Sequence, residues 1–357
     1  MSLSSKQLLS DARWDYSIIS PVQGDGLHQS TVFKAKVVPR DRTSTSNNIP
    51  KWALLKSAPS DNRRSRELLK REWETCLRPP VASSPVFRNL HDLIGDPSTL
   101  DDETGNTTPP YLALEWLDLT LADVVPSLDR HGYALITAVV ETIMSSIVSL
   151  GEVELVNTAG FDPFRLVVFP SGTRYQAQSH AMRAPEVWRG LPCTEPCQVW
   201  ACAAMLLCWM KPGVLGISGN SSGELLRNSW CIAKLRRLFP DWSALPCDHP
   251  LLKAERTADF AVSAMFLEEG DAHPLLQDIL PLEHEMVRMG LLPELKDLLR
   301  FLFVTYPDAR PSAAQCASVT AAPGAEKSSL RHEVGNTPGV AASAWVFLNK
   351  QHQCHAG

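Results

Sequence analysis

The sequence predicts an α+β protein in which a small, strand-rich N-terminal unit precedes a larger helical unit. Short apolar runs separated by turns fill residues 16–56, and an amphipathic helical pattern begins at Ala134. The stretch Val199–Met210 is apolar throughout, which is typical of a helix buried on every side. A length of 357 residues suggests about two compact units.

Alternation and turn residues predict the N-terminal elements. Thr31–Val38 alternates partly as a strand does, and a polar loop at 39–50 separates it from the short apolar strand Trp52–Lys56. Arg63–Leu77 is rich in helix-forming residues and carries an apolar stripe at helical spacing, so we expect a helix there. Tyr111–Trp116 follows a polar loop and is predicted to be the next strand.

The remainder of the chain is predicted to be mainly helical. Apolar residues at helical spacing predict a long amphipathic helix over Ala134–Leu150. Further helices are predicted at Pro196–Met210, Gly223–Leu238, Leu251–Glu269, Glu283–Gly290 and Leu292–Val304. Alanine, serine, glycine and lysine dominate the end of the chain, so we expect residues 321–357 to form a mostly disordered tail.

Composition and charge exclude several classes of function. The formal net charge of -5 gives no broad field for a nucleic-acid backbone or an anionic membrane. The longest apolar run, Val199–Met210, is 12 residues, shorter than the ~20 that span a bilayer. The polar N-terminus lacks the apolar core of a signal peptide. Nine scattered cysteines without a Cys-x-x-Cys pair favour reduced thiols in a cytoplasmic or nuclear protein.

Two segments of the N-terminal unit contain residue types suited to holding phosphate. Gly24 and Gly26 form a turn shortly before Val32, and glycine lets backbone N–H groups approach a phosphate closely. The run Ala53-Leu54-Leu55-Lys56 ends on a lysine, and Glu72 follows that lysine by 16 residues. Each segment alone has a plainer interpretation. Two glycines indicate only a turn, and a solvent-exposed Lys–Glu pair contributes under about 1 kcal/mol.

Two later motifs complete a pattern that covers most of the chain. The first is Met182-Arg183-Ala184-Pro185-Glu186, and the second is Pro307-Asp308-Ala309-Arg310-Pro311-Ser312. Their order, on either side of the apolar run, resembles the protein kinase superfamily over about residues 15–320. Segments 229–240 and 298–303 are also similar to kinase-like proteins of filamentous fungi. The resemblance implies a two-lobed fold, with an extension at 1–14, an N-lobe at 15–116, a C-lobe at 117–320 and a tail at 321–357.

The resemblance implies a nucleotide site in the N-lobe. The glycine turn would cover the phosphates of ATP, and the strand-end lysine would hold those phosphates with the glutamate as its partner. The strand at 111–116 would lead into the segment between the lobes, whose backbone groups usually read the adenine edge. The implied nucleotide-binding residues are Gly24, Gly26, Val32, Ala53, Lys56, Glu72, Glu115 and Leu117. The resemblance also implies a buried structural ion pair between Glu186 and Arg310, since a forked guanidinium suits a bidentate carboxylate.

The residues that carry out phosphotransfer in this family are absent. Ala159 replaces the catalytic aspartate, Phe161 the transition-state lysine and Phe164 the magnesium-binding asparagine. The stretch 174–179, near which the second metal-binding aspartate belongs, contains no acid. A positioned base contributes about 10²–10⁴ in rate and a metal several kcal/mol, so we expect neither magnesium binding nor efficient phosphotransfer. Asp162 is a candidate substitute base, but its place before a proline fits a turn former better.

These features predict a pseudokinase, a regulatory or scaffolding protein whose protein partners dock on the C-lobe, with ATP as a ligand. One alternative is a working Ser/Thr protein kinase with an atypical catalytic residue set. A second is a small-molecule phosphotransferase of a related fold, which would need the same missing acids. A third is a drifting gene product without function.

Overall fold

The computed structural model describes residues 8–9, 13–22, 31–40, 49–59, 62–101, 110–119, 121–157, 168–170, 178–217, 224–242 and 276–321. These ranges form a mixed α+β protein with nine α-helices, one six-stranded sheet and one two-stranded sheet. The chain divides into two compact units. The N-terminal unit comprises Met1–Leu119 and Phe164–Val168, and the C-terminal unit comprises Thr120–Pro163 and Phe169–Gly357.

The N-terminal unit is built on an antiparallel sheet with the strand order β1-β2-β3-β4-β6-β5. Its strands are β1 (Leu8–Leu9), β2 (Asp15–Pro21), β3 (Thr31–Val38), β4 (Trp52–Ser57), β5 (Leu90–Ile94) and β6 (Tyr111–Glu115). The three strands predicted at 31–38, 52–56 and 111–116 are present to within one residue. Strand β5 was not predicted, because its sequence Leu-His-Asp-Leu-Ile lacks a regular alternation. Strand β1 lies within residues 1–14, which were expected to form an extension, so part of that segment belongs to the sheet.

The sheet buries a cluster on each of its two faces. One cluster, here called the Tyr16 face, consists of Tyr16, Ile18, Phe33, Ala35, Val37, Ala53, Leu55, Ile94 and Ala113. The opposite helix face contains Leu54, Leu112 and Leu114 and packs against Leu69. Leu69 belongs to helix α1 (Arg63–Cys76), which is followed by the short helix α2 (Pro79–Ala82). Helix α1 begins after Asn62, whose Oδ1 accepts a hydrogen bond from the backbone N–H of Ser65 at 3.0 Å.

The sheet is strongly curled. Tyr16 on β2 donates its hydroxyl to Asp92 Oδ2 on β5 at 2.6 Å, although three strands separate β2 from β5 in the sheet order. Burial and the neighbouring Asp92 carboxylate raise the pKa of the Tyr16 hydroxyl well above its usual range. This hydrogen bond joins two strands that do not pair, and so holds the Tyr16 face closed around its apolar cluster.

The C-terminal unit is helical. Its helices are α3 (Arg130–Gly151), α4 (Pro185–Trp188), α5 (Glu195–Met210), α6 (Glu224–Leu238), α7 (Leu282–Arg288), α8 (Pro293–Leu302) and α9 (Ala313–Ala321). The two-stranded sheet pairs β7 (Leu155–Asn157) with β8 (Val168–Pro170). In α5 every residue from Cys197 to Trp209 is buried, as uniform apolarity predicted. Trp200 on this helix packs against Phe239 and Phe303, with ring centroids 4.9 Å away in each case.

Among the described residues, one helix is long and apolar enough to cross a membrane. This helix is α3, and half of its most apolar window is buried inside the protein. Its buried side packs in the core with α5 and α9. These features are compatible with a soluble protein in which α3 is a core helix.

Several predicted features lie outside the described residues. They are Gly24, Gly26, Ala159, Phe161, Asp162, Phe164, the helix at 251–269 and all but the first residue of the tail at 321–357. The other predicted helices are present, and their observed ends differ from the predicted ends by no more than four residues. The largest difference is at the start of α3, where Asp129 caps the helix by accepting a hydrogen bond from the backbone N–H of Gly132 at 2.9 Å.

Candidate functional site

The structure joins Lys56 and Glu72 as a buried ion pair in the N-terminal unit. Lys56 Nζ donates to Glu72 Oε2, and the two side chains are 4% and 6% exposed. Lys56 lies near the end of β4, and Glu72 lies on the inner side of α1, one turn after Leu69. The pair is therefore not the exposed surface pair of the plainer interpretation. Removing either partner would leave an uncompensated charge buried, which is strongly destabilising.

The Lys56–Glu72 pair is shielded from solvent. Cys76 follows Glu72 by one helical turn, and burial together with the Glu72 carboxylate raises the pKa of its thiol to about 12. In the sheet, Val32 on β3 and Leu112 on β6 lie directly opposite Lys56 on either side of it. Two apolar neighbours and a helix thus surround the lysine, which leaves its ammonium directed at the glutamate.

Ala53 and Lys56 lie on opposite faces of β4. Ala53 belongs to the Tyr16 face, whereas Lys56 contacts α1 on the helix face. Successive side chains of a strand point to opposite faces, so two residues three positions apart cannot share one. The nearest residue of β4 that shares a face with Lys56 is Leu54, which is 1% exposed. A larger side chain than alanine therefore occupies that position.

Three further side chains on the helix face were not singled out from the sequence. Lys34 on β3 places its Nζ 4.8 Å from the ring centroid of Trp52 and 4.2 Å from that of Trp116. An ammonium within cation–π distance of two indole rings is a favourable arrangement. Sequence alternation contained the signal, since Val32 and Lys34 lie two residues apart and so face the same side.

The remaining N-terminal residues of the predicted site lie at the end of β6. The backbone N–H of Glu115 donates to the Asn89 carbonyl at 2.9 Å, and its carboxylate accepts from Asn89 Nδ2 at 2.9 Å. Glu115 pairs with Ala53 across the sheet and not with Lys56. Leu117 is partly buried just beyond the strand. Glu115 therefore anchors the loop before β5, and its own N–H is already used within the protein.

The structure also joins Glu186 and Arg310 in the C-terminal unit. Arg310 Nη1 lies 2.6 Å from Glu186 Oε1, and Nη2 lies 3.0 Å from Oε2, so the pair is bidentate. The two side chains are 3% and 0% exposed, for Glu186 and Arg310 respectively. Glu186 lies in α4, and Arg310 follows a short turn at Pro307–Ala309. The pair links positions 124 residues apart in the chain.

Arg310 also connects this pair to the buried helix. Its Nη1 donates to the Pro196 carbonyl at 2.6 Å, and its Nε donates to the Val304 carbonyl at 2.8 Å. The guanidinium carbon lies 5.2 Å from the ring centroid of Trp200. One side chain thus bonds α4, the first turn of α5 and the segment after α8, which is the structural role expected of a guanidinium fork.

Gln178 performs a role that sequence reasoning missed. Its Nε2 donates to the Cys197 carbonyl at 2.8 Å, and its Oε1 accepts from the backbone N–H of Ala184 at 3.0 Å. Its own carbonyl accepts from Arg183 Nη2 at 3.3 Å. The residue is buried and has a φ of 74°, a left-handed conformation that is uncommon for a side chain of this size. These bonds hold the short segment before α4 against the start of α5.

The site contains no described metal centre. In the part of the chain that the structure describes, no group of three or more His, Cys, Asp or Glu side chains could hold a metal ion. Gln178 lies near the position at which a metal-binding aspartate was sought, and its amide is already bonded at both ends. Gln198 is buried in α5.

No protein-family model matches the chain, and no curated protein matches it either.

Proposed function

We propose that this protein is a pseudokinase, a two-lobed protein-kinase-like domain that regulates or scaffolds other proteins without efficient phosphotransfer. The observation that carries the proposal is the presence of two buried ion pairs at the positions the resemblance implies. One is Lys56–Glu72 in the N-terminal unit, and the other is Glu186–Arg310 in the C-terminal unit. Isolated motifs of this kind are common, whereas two buried pairs in the family's order are a more specific combination.

The proposed loss of activity depends on the sequence at three positions. Ala159, Phe161 and Phe164 offer neither a base nor a metal ligand. Catalytic groups act together, so the loss of several leaves little beyond proximity. The test is a phosphotransfer assay on the purified full-length chain with ATP, magnesium and a mixed protein substrate. Phosphate incorporation that disappears in Asp162→Asn would refute the proposal, because it would identify Asp162 as a working base.

ATP is proposed as a stabilising ligand that binds near Lys56 without magnesium. The buried Lys56–Glu72 pair supports this, while Leu54 on the same face reduces the room beside the lysine. The test is thermal melting with millimolar ATP, with and without magnesium. At 100 times its Kd a ligand stabilises by about 2.7 kcal/mol, which would raise the Tm by roughly 5–10 °C.

Two lysine variants make this experiment specific. In Lys56→Ala the ATP-dependent rise should vanish, after circular dichroism has shown that the variant is folded. In Lys36→Ala, which changes an exposed lysine of β3, the rise should persist. A rise that requires magnesium would contradict the proposed metal-independent binding. No rise in the wild type would contradict the proposed binding of ATP.

Protein partners are proposed to dock on the C-terminal unit. Large apolar side chains are exposed there, among them Val287 at 65% and Tyr306 at 54%. The test is affinity capture with Val287→Asp and Tyr306→Asp, compared with Ile19→Asp on the N-terminal unit as the matched control. The proposal expects the first two changes to remove captured proteins that the control retains. Equal loss in all three variants would contradict it.

A further inference from the structure

The loop before α5 and the first turn of that helix bring two thiols into contact. The Sγ atoms of Cys193 and Cys197 are 2.8 Å apart, and both residues are fully buried. Cys193 directly precedes the N-cap residue Thr194, and Cys197 is the third residue of the helix. Side chains at these two helix positions lie on the same side of the first turn, so the contact follows from local geometry.

We propose that Cys193 and Cys197 form a reversible intramolecular disulfide that fastens the loop before α5 to the first turn of that helix. A disulfide needs sulfurs about 2.05 Å apart, and the two thiols already lie within an ångström of that separation. Thr194, the N-cap residue of α5, makes no side-chain hydrogen bond to the first turn, so a disulfide would add a covalent link between that turn and the preceding loop.

The oxidant in this proposal is hydrogen peroxide. One cysteine, as its thiolate, attacks a peroxide oxygen and becomes a sulfenic acid, which breaks the O–O bond and releases one water after proton uptake. The second thiol then attacks the sulfenic sulfur, forms the S–S bond and releases a second water. Two thiols are oxidised and one peroxide is reduced. Thiol–disulfide exchange with a small dithiol reverses the reaction.

The surroundings of Cys193 and Cys197 slow the oxidation of the pair. They also determine which contact the disulfide would stabilise. Burial, the neighbouring thiol and Glu186 raise the pKa of Cys197, so little thiolate is present and oxidation needs a transient local opening. The three residues between the cysteines are only partly buried, so such an opening exposes the pair to a small oxidant. The same turn carries the Cys197 carbonyl bonded by Gln178. The disulfide would therefore stabilise the contact between the segment before α4 and α5.

The experiment uses the purified full-length chain, first reduced and then treated with hydrogen peroxide. After denaturation in acid and alkylation of the remaining thiols, mass spectrometry examines the tryptic peptide 190–227, which contains Cys193, Cys197, Cys202 and Cys208. The expected peptide carries alkyl groups on Cys202 and Cys208 only and weighs two hydrogens less than its unlinked form. Alkylation of all four cysteines, or sulfinic acid at the pair, would overturn the proposal.

Thermal melting tests the mechanical consequence. Closing so short a loop should raise the Tm of the oxidised protein by roughly 3–6 °C, and dithiothreitol should reverse the rise. Cys193→Ala should abolish the rise, and Cys197→Ala serves if the first variant does not fold. The matched control Cys202→Ala removes another buried thiol of α5 and should retain it. A linked peptide without a Tm change, or a rise that survives in Cys193→Ala, would contradict the proposed fastening.

Discussion

Replacing Arg310 by leucine should be among the most destabilising single substitutions in the C-terminal unit. Arg310 donates two hydrogen bonds to Glu186, one to the Pro196 carbonyl and one to the Val304 carbonyl. Its loss leaves the Glu186 carboxylate buried, with only 3% of its side chain exposed, and without its cation. Breaking a buried pair on one side typically costs about 3–5 kcal/mol. That is a large share of the ~5–15 kcal/mol by which a domain is stable.

Two related variants separate the causes of this loss. Arg310→Lys keeps the positive charge but loses the fork, so we expect a smaller cost of about 2–3 kcal/mol. Adding Glu186→Leu to Arg310→Leu removes the stranded carboxylate and should restore much of the stability. This recovery is expected because an apolar pair of similar volume often replaces a buried ion pair at little cost.

The assay is urea unfolding followed by far-ultraviolet circular dichroism, with stability taken from the midpoint and slope. The matched control is Arg300→Leu. Arg300 also forms a bidentate pair, with Glu283 at 2.7 and 2.8 Å, but these side chains are 46% and 57% exposed. Solvent screens that pair, so the control should change the curve little. If Arg310→Leu shifted the midpoint no more than Arg300→Leu, the inferred importance of burial at Arg310 would be wrong.

Three further outcomes are expected. Lys56→Met leaves the buried Glu72 without its cation and should lower the free energy of unfolding in urea by about 3–5 kcal/mol. Adding Glu72→Met should recover much of that loss, and no recovery would contradict the importance of the ion pair. Asn62→Ala removes the N-cap of α1 and should cost about 0.5–2 kcal/mol, whereas an unchanged midpoint would show the cap to be dispensable. Burial lowers the pKa of Lys234 to about 8, so the unfolded chain binds more protons between about pH 8 and 10.5. The stability of the wild type relative to Lys234→Met should therefore rise over that pH range, and a flat difference would refute the assignment.

The periodicity of apolar residues predicted much of the secondary structure because it shows which sides of a helix or strand are buried. Helix α5 was predicted from its uniform apolarity, and α1 from an apolar stripe on an otherwise polar segment. Strand β5 was missed because its His-Asp pair breaks the alternation. The hydrogen-bonding role of Asp92 arises only in the curled sheet. There it accepts the hydroxyl of Tyr16 from a strand that is not its neighbour.

The candidate site divides in the same way. The residue types and spacing of Lys56 and Glu72, and of Glu186 and Arg310, were sufficient to propose both pairs through a family resemblance. The resemblance did not reveal which face of β4 each side chain occupies, so Ala53 was grouped with Lys56. Strand alternation, applied to Lys56, would have selected Leu54 instead.

Local chain geometry and apolar patterning depend on residues that are close together in the sequence. The α+β class, the helical C-terminal part and most element positions therefore follow from the sequence. Contacts between distant residues depend on how complete elements pack. Arg310 contacts Glu186 from 124 residues away in the chain, so the contact depends on how α4, α5 and the segment after α8 pack together. Gln178 adopts its left-handed backbone because three bonds from its surroundings hold it there. Bringing distant residues together costs conformational entropy, which local interactions do not offset. The burial of apolar surface in the packed core supplies the compensating free energy.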